Sequence, residues 1–284
     1  MTAPREPICV NIDCTAIAKI AHVGVKRTAL FLGLGLNGVN QPGFKDYELR
    51  KLPKGENLAA IPPDIIARGA PDDAIERFKA GFSTWVTGCG LREMLEHYGL
   101  MLDHMHKYCL LVAQVRQFVD VLGDPEKLQF KFARRLGVPD KHEALKKRFQ
   151  IEPTFASDVD ALWSARNALS HGLGIVRVED AAADGTLAIR WLAIEMNARG
   201  EETGSVIPLG KLFGVVTTEP MSIYIGTVKR ERLYKVGDKV ALSAQDVYEI
   251  CMFMSAQVIP NTMAAFVKFL KDQGVDGASE GRAA

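Results

Sequence analysis

Leu91, Met94, Leu95, Tyr98, Leu102, Met105, Cys109, Val112, Val115 and Val119 recur at three- and four-residue steps, over about eight turns of helix. That spacing draws one apolar stripe along one long helix, and a stripe of this length has to be covered by other helices. The chain is therefore expected to build a helical bundle around it. Gly123-Asp124-Pro125 ends the stripe, because proline cannot continue a helix but opens one well. A second helical region, 126–149, is expected to break at Gly137-Val138-Pro139. A third is expected from Ser157, placed to cap it with Asp160 three residues on, to Gly172 as a left-handed terminator.

The apolar period then changes from helical to two. Runs at 173–178, 187–196, 213–217, 223–228 and 233–236 read as strands of a small antiparallel meander. Ser243 with Asp246 caps a final helix (Val247, Ile250, Met254, Val258) that kinks or breaks at Pro260 and resumes at Met263, Phe266 and Leu270. Upstream, a strand-like run at 8–12 precedes a helical series, Ile17, Ile20, Val23, Leu30, Phe31 and Leu34, interrupted by Gly24. Turn formers then crowd from Asn37 to Pro71. The fold class is thus mainly α (α+β). Residues 1–70 form an irregular or mixed N-terminal extension, and 71–172 the bundle core. A β-rich insertion at 173–242 precedes the final helix at 243–272, and 273–284 is a mobile polar tail.

A chain of 284 residues with a formal charge of +1 can bury a core and carries no global pull toward nucleic acid or anionic membrane. Affinity for either must come from a local patch. Five cysteines, odd in number and scattered through apolar runs, read as reduced thiols in a cytoplasmic protein. Cys9 and Cys14 lack a second ligand pair, and His104 and His106 face different ways on a helix, so neither a metal nor a cofactor is expected. The longest apolar run, 28–36, is too short to cross a membrane, and no membrane partner is expected.

Gly33-Leu34-Gly35-Leu36-Asn37-Gly38 spells a dinucleotide fingerprint, but the strand that should enter it and the helix that should leave it are missing, so it reads as a helix-to-loop exit. Trp85, Trp163 and Trp191 read as packing residues. More informative is the end of the third helix, where Arg166, Asn167 and His171 gather. A guanidinium holds phosphate oxygens, an imidazole moves protons near neutrality, and an amide orients either partner. Positions 166 and 171 lie about 140° apart on an ideal helix. They converge only if the last turn unwinds or if two copies of the helix face each other across a two-fold axis. Arg166 falls in the arc of Val159, Leu162 and Leu169, a charge on the side to be covered, so it needs an acid, a ligand or a neighbouring subunit.

Arg166-Asn167-x-x-x-His171 resembles the Arg-x(4–6)-His motif of the HEPN superfamily, set late in a helix of a small up-down bundle. The resemblance covers roughly 85–172 and 243–271. It implies a homodimer joined through the motif helices and, in many members, metal-independent RNA cleavage within toxin–antitoxin or anti-phage systems; other members only bind. It gives phosphate contact to Arg166 and acid/base work to His171, with Asn167 in support, and it implies RNA, and an antitoxin or regulatory protein, as partners. The β-rich insertion departs from the simplest members, which pass from the motif helix to the final helix directly. The bare spacing recurs at Arg92/His97 and Arg135/His142, the first beside Glu93 and Glu96 and the second across Gly137 and Pro139; both read as solvated surface.

Between Glu126 and Arg148 stand eight Lys/Arg against three acids, a local charge of +5. Lys131, Arg134, Arg135, Lys146, Lys147 and Arg148 are the candidate RNA contacts there. Phe130, Phe132 and Phe149, at helical spacing, read as core rather than base-stacking platforms. Lys229-Arg230-Glu231-Arg232 is placed to extend the track. The competing expectation is a non-catalytic helical dimer serving as a ligand- or protein-binding sensor.

Overall fold

The computed structural model describes residues 12–39, 41–46, 71–116, 123–208 and 216–275. The long apolar stripe forms α3 (Asp72–Val115), 44 residues without a break. Asp72 and Asp73 in its first turn complement the helix dipole. From Leu91 to Val112 every stripe residue is buried, while Val115 at the end is exposed and Val119 lies outside the described residues. Each buried Leu or Met contributes about 1.5–3 kcal/mol, so this seam organises the fold.

Its first cover is α1 (Cys14–Val39), followed by the single turn α2 (Pro42–Lys45). Gly24 of α1 does not interrupt the helix. It lets the backbone lie against His97, and Gly90 of α3 does the same for Leu32, where an added Cβ would stand 2.6 Å from Cδ1. Gly35 meets Val86 lower down, so α1 runs antiparallel to α3 at close range. The segment expected as an extension outside the bundle thus supplies a helix whose Ile17, Ala21, Val25, Leu32 and Leu36 share the core with α3. The strand-like run at 8–12 falls outside the described residues except for Ile12, which is coil.

Asp124 caps α4 (Pro125–Arg135) by accepting from the Glu126 and Lys127 amides, and α5 (Val138–Phe149) starts anew after Gly137, the expected break. Helix α6 (Ala156–His171) differs at both ends from expectation. Its N-cap is Phe155, with no side-chain cap. Ser157 already lies in the first turn, and Asp160 accepts from His142 Nδ1 at 2.8 Å instead. At the other end Gly172 has φ −97°, and the left-handed residues are Leu173 (φ 52°) and Gly174 (φ 88°). That tight turn also removes the strand expected at 173–178, leaving one bridge, Ile175 to Lys239, and a short 3-10 turn at Val178–Asp180.

The sheet is antiparallel as expected, with order β2-β1-β3, from β1 (Thr186–Gly200), β2 (Val206–Pro208) and β3 (Met221–Lys235). Two expected runs, 223–228 and 233–236, are one strand. The charges between them do not end it because they pair: Arg190 with Glu231 at 2.5 Å, Arg230 with Glu195 at 2.7 Å, and Arg232 with Asp246 at 2.7 Å. Arg230 and Arg232 of the basic run 229–232 are therefore paired with acids, while Lys229 is exposed and has no ion pair among the described residues. Of the run at 213–217, the first three residues lie outside the described residues, and Val216 and Thr217 are irregular. Leu187, Ile189, Trp191 and Ala193 face the bundle and are buried.

The Ser243–Asp246 capping box opens α7 (Ala244–Phe253), and a π-turn at Met254–Val258 leads into α8 (Ile259–Asp272) with Pro260 in its first turn. Proline removes one backbone donor, and the π-turn absorbs the mismatch, so the helix continues instead of breaking. By length and mean hydropathy the stretch 244–272 passes as a membrane span, but 56% of its apolar window is buried in the fold, which fits the core helix of a soluble protein. The chain is mainly helical with a small antiparallel sheet.

Candidate nucleic-acid interface

Helix α6 packs antiparallel to α3, with Leu169 against Gly88 and Arg166 reaching Glu96 two turns further along α3. The Arg166 side chain is only 13% exposed. Its Nη1 donates to Asn167 Oδ1 at 2.9 Å and its Nη2 to Glu96 Oε1 at 3.3 Å. The guanidinium lies 4.8 Å from the centre of the Trp163 ring, one turn earlier. Arg166 Nε is buried with no partner. The partner expected from the covered arc is thus Glu96, and Asp160 is engaged elsewhere. The same Glu96 oxygen accepts a shorter bond, 2.7 Å, from Arg92 Nε, while Glu93 pairs with Arg27 at 2.7 Å. Arg92 is thereby consumed in a surface pair, whereas the ion pair of Arg166 with Glu96 is one long, single-pronged contact.

Asn167 is half-buried and its amide oxygen is turned to the guanidinium. His171 is exposed at the last helical position, with no hydrogen bond to Arg166 or Asn167 among the described residues. One chain therefore joins Arg166 to Asn167 and leaves His171 apart, as positions five apart on a helix must be. His142, the imidazole of the other rejected spacing, is buried: its Nδ1 meets Asp160, and its Nε2 meets the Tyr98 hydroxyl at 3.0 Å, which meets Thr262 at 3.0 Å. Burial pushes the Tyr98 phenol well above its ordinary range. That chain of polar groups ties α3, α5, α6 and α8 together. No sequence pattern announced it, since its members are 18 to 164 residues apart.

No family model, curated protein or solved structure matches this chain.

The basic segment divides into three groups. Lys141 is buried against Asp103 at 2.7 Å and belongs to the core. Lys146 pairs with Glu152 at 2.6 Å, which raises the Lys146 ammonium, and Lys147 pairs with Glu143 at 2.8 Å, which holds that carboxyl below its usual range. Lys131, Arg134, Arg135 and Arg148 are exposed and make no ion pair among the described residues. Arg148 stands at the rim of two clefts. The larger, 630 Å³, lies between α3, α5 and α8 with Phe149, Phe269 and Lys268 in its wall; the smaller, 280 Å³, lies between α4 and α5.

Of the three aromatics expected in the core, Phe132 and Phe149 are buried, Phe132 stacked on His106 at 3.9 Å. Burial pushes His106 down to about 4. Phe130 departs from expectation: it is 59% exposed. Trp85 also departs, standing exposed beside Phe82 near the N-terminal end of α3. The fingerprint-like glycines lie inside α1, where Gly33 accommodates the Tyr248 hydroxyl and Gly35 meets Val86, so these two serve packing, while Gly38 faces open space.

Trp163 is the link that spacing alone did not reveal. An added Cβ on Gly137 would stand 3.3 Å from its indole ring. The ring therefore spans from the motif guanidinium to the chain directly after Arg134 and Arg135. Arg166 at position i and an aromatic at i−3 share one helix face, and that is the signal that finds it.

Proposed function

We propose that the chain is a dimeric HEPN-like RNA-binding protein that cleaves RNA without a metal, at a composite site made by Arg166, Asn167 and His171 of two copies. The observation that carries this reading is the continuity through Trp163. It runs from the motif guanidinium to Gly137, two residues past Arg135, one of the exposed cations that pair with no acid among the described residues. Such cations draw phosphate irrespective of sequence, and Trp163 keeps Arg166 at the edge of that field.

Each residue then has one task. Arg166 offsets the charge that develops on the phosphoryl oxygens, and Asn167 fixes the plane of its guanidinium. One His171 imidazole takes the proton of the 2′-hydroxyl as its oxygen bonds phosphorus. The imidazole of the second copy protonates the 5′-oxygen as its bond to phosphorus breaks, leaving a cyclic phosphate. The second copy is needed because His171 lies apart from Arg166 within one chain. The test is incubation with RNA in EDTA beside Arg166→Ala and His171→Ala. Both variants lose cleavage, and equal activity in all three proteins removes the assignment.

One observation favours a second reading. Glu96 holds Arg166 in an internal ion pair, which suits a structural motif helix in a non-catalytic binding module. Under that reading neither variant changes any property of RNA.

A further inference from the structure

On α4 the exposed residues Lys127, Phe130, Lys131 and Arg134 fall at i, i+3, i+4 and i+7, one face of the helix, with Arg135 at its border. The opposite side does the packing. Phe132 is buried on His106, and Gln129 bonds both His106 and the Asp103 carbonyl. Phe130 has no ring partner among the described residues and is 59% exposed. It is an aromatic with no role in the core, set among cations. Lys127 pairs with Asp124 at 3.3 Å, whereas Lys131, Arg134 and Arg135 have no acidic partner among the described residues.

We infer that this face of α4 is a track for single-stranded RNA, with one base stacked on Phe130 and adjacent phosphates on Lys131 and Arg134. The inference rests on the RNA reading of the motif site and names the form of substrate that reaches it. Stacking requires a base whose face is free, which a duplex does not offer. The track leads toward the motif because Gly137, two residues after Arg135, abuts the Trp163 ring that carries Arg166. An anionic membrane is the other surface that attracts a basic helix, but a membrane-lying helix buries a broad apolar face. Here that face has a single apolar residue.

The experiment is fluorescence anisotropy of a labelled single-stranded RNA and of the same sequence as a duplex, in EDTA, using the full chain with His171→Ala to stop turnover. Phe130→Ala weakens the single strand about tenfold and leaves duplex binding unchanged, while Phe130→Tyr restores the single strand. Lys131→Gln with Arg134→Gln lowers the salt slope by about 0.7 for each phosphate that is no longer neutralised. Equal binding of strand and duplex, indifferent to Phe130→Ala, overturns the track and leaves the motif site standing. Failure to bind RNA in either form, with binding instead to vesicles containing anionic lipid, overturns the track and the RNA reading together. Far-UV circular dichroism of each variant confirms that the exposed substitutions leave the helices intact.

Discussion

Glu96 decides how readily Arg166 can meet a phosphate, and replacing it by glutamine tests that directly. Its carboxylate stands 3.3 Å from Arg166 Nη2 and 2.7 Å from Arg92 Nε. A phosphate docking on the outer edge of the guanidinium would lie ~7 Å from this negative charge, a repulsion of about 2 kcal/mol at an effective dielectric of ~20. Glu96 is 43% exposed, so solvent screening reduces this to about 1 kcal/mol, which is roughly fivefold in affinity. Glutamine keeps an acceptor for both arginines, and a partly exposed ion pair contributes no more than about 1 kcal/mol to folding. Glu96→Gln is therefore expected to bind RNA about fivefold tighter with stability lowered by less than about 1 kcal/mol. Anisotropy titration at fixed salt and urea unfolding read the two quantities. Unchanged RNA affinity together with a larger loss of stability would refute the reasoning and favour a structural role for the Arg166–Glu96 pair.

Tyr98→Phe removes a buried hydroxyl that meets both His142 and Thr262, leaving an imidazole nitrogen without a partner; urea unfolding should show a loss of about 1–3 kcal/mol. Gly90→Val drives a side chain into Leu32 at a close approach of α1 and α3, and thermal melting should register a loss of about 1–3 kcal/mol or more. His106, held down to about 4 by burial, stays neutral in the folded chain while the unfolded chain takes up a proton below about pH 6.5. Stability is present above pH 6.5 and is lost as pH falls toward 4, about 2 kcal/mol between pH 7 and 5. His106→Asn should flatten that part of the profile of unfolding free energy against pH.

The parts of the fold written in local pattern were legible. The stripe from Leu91, the Asp124-Pro125 start, the break at Gly137 and the Ser243–Asp246 box each depend on residues a few positions apart, and each appears in the structure. Features set by contacts distant in sequence were not. Gly24 looked like an interruption because the His97 it accommodates is 73 positions away. The charges at 229–232 looked like a strand boundary because their partners lie on β1 and α7. Ser157 is a plausible cap by spacing, but the helix is capped two residues earlier, at Phe155. At the candidate site, residue types and helix positions were readable, as was the need of Arg166 for a partner. The identity of that partner, the exposure of Phe130 and the contact of Trp163 with Gly137 emerge only from packing.

The central claim is that two copies of α6 complete one site. The most direct measurement is cleavage rate per chain in EDTA across a protein dilution series, with the dimer fraction determined by sedimentation at the same concentrations. The rate per chain should rise and fall with the dimer fraction and vanish in the monomer. A constant rate per chain down to fully monomeric protein, or no cleavage by the dimer, would contradict it.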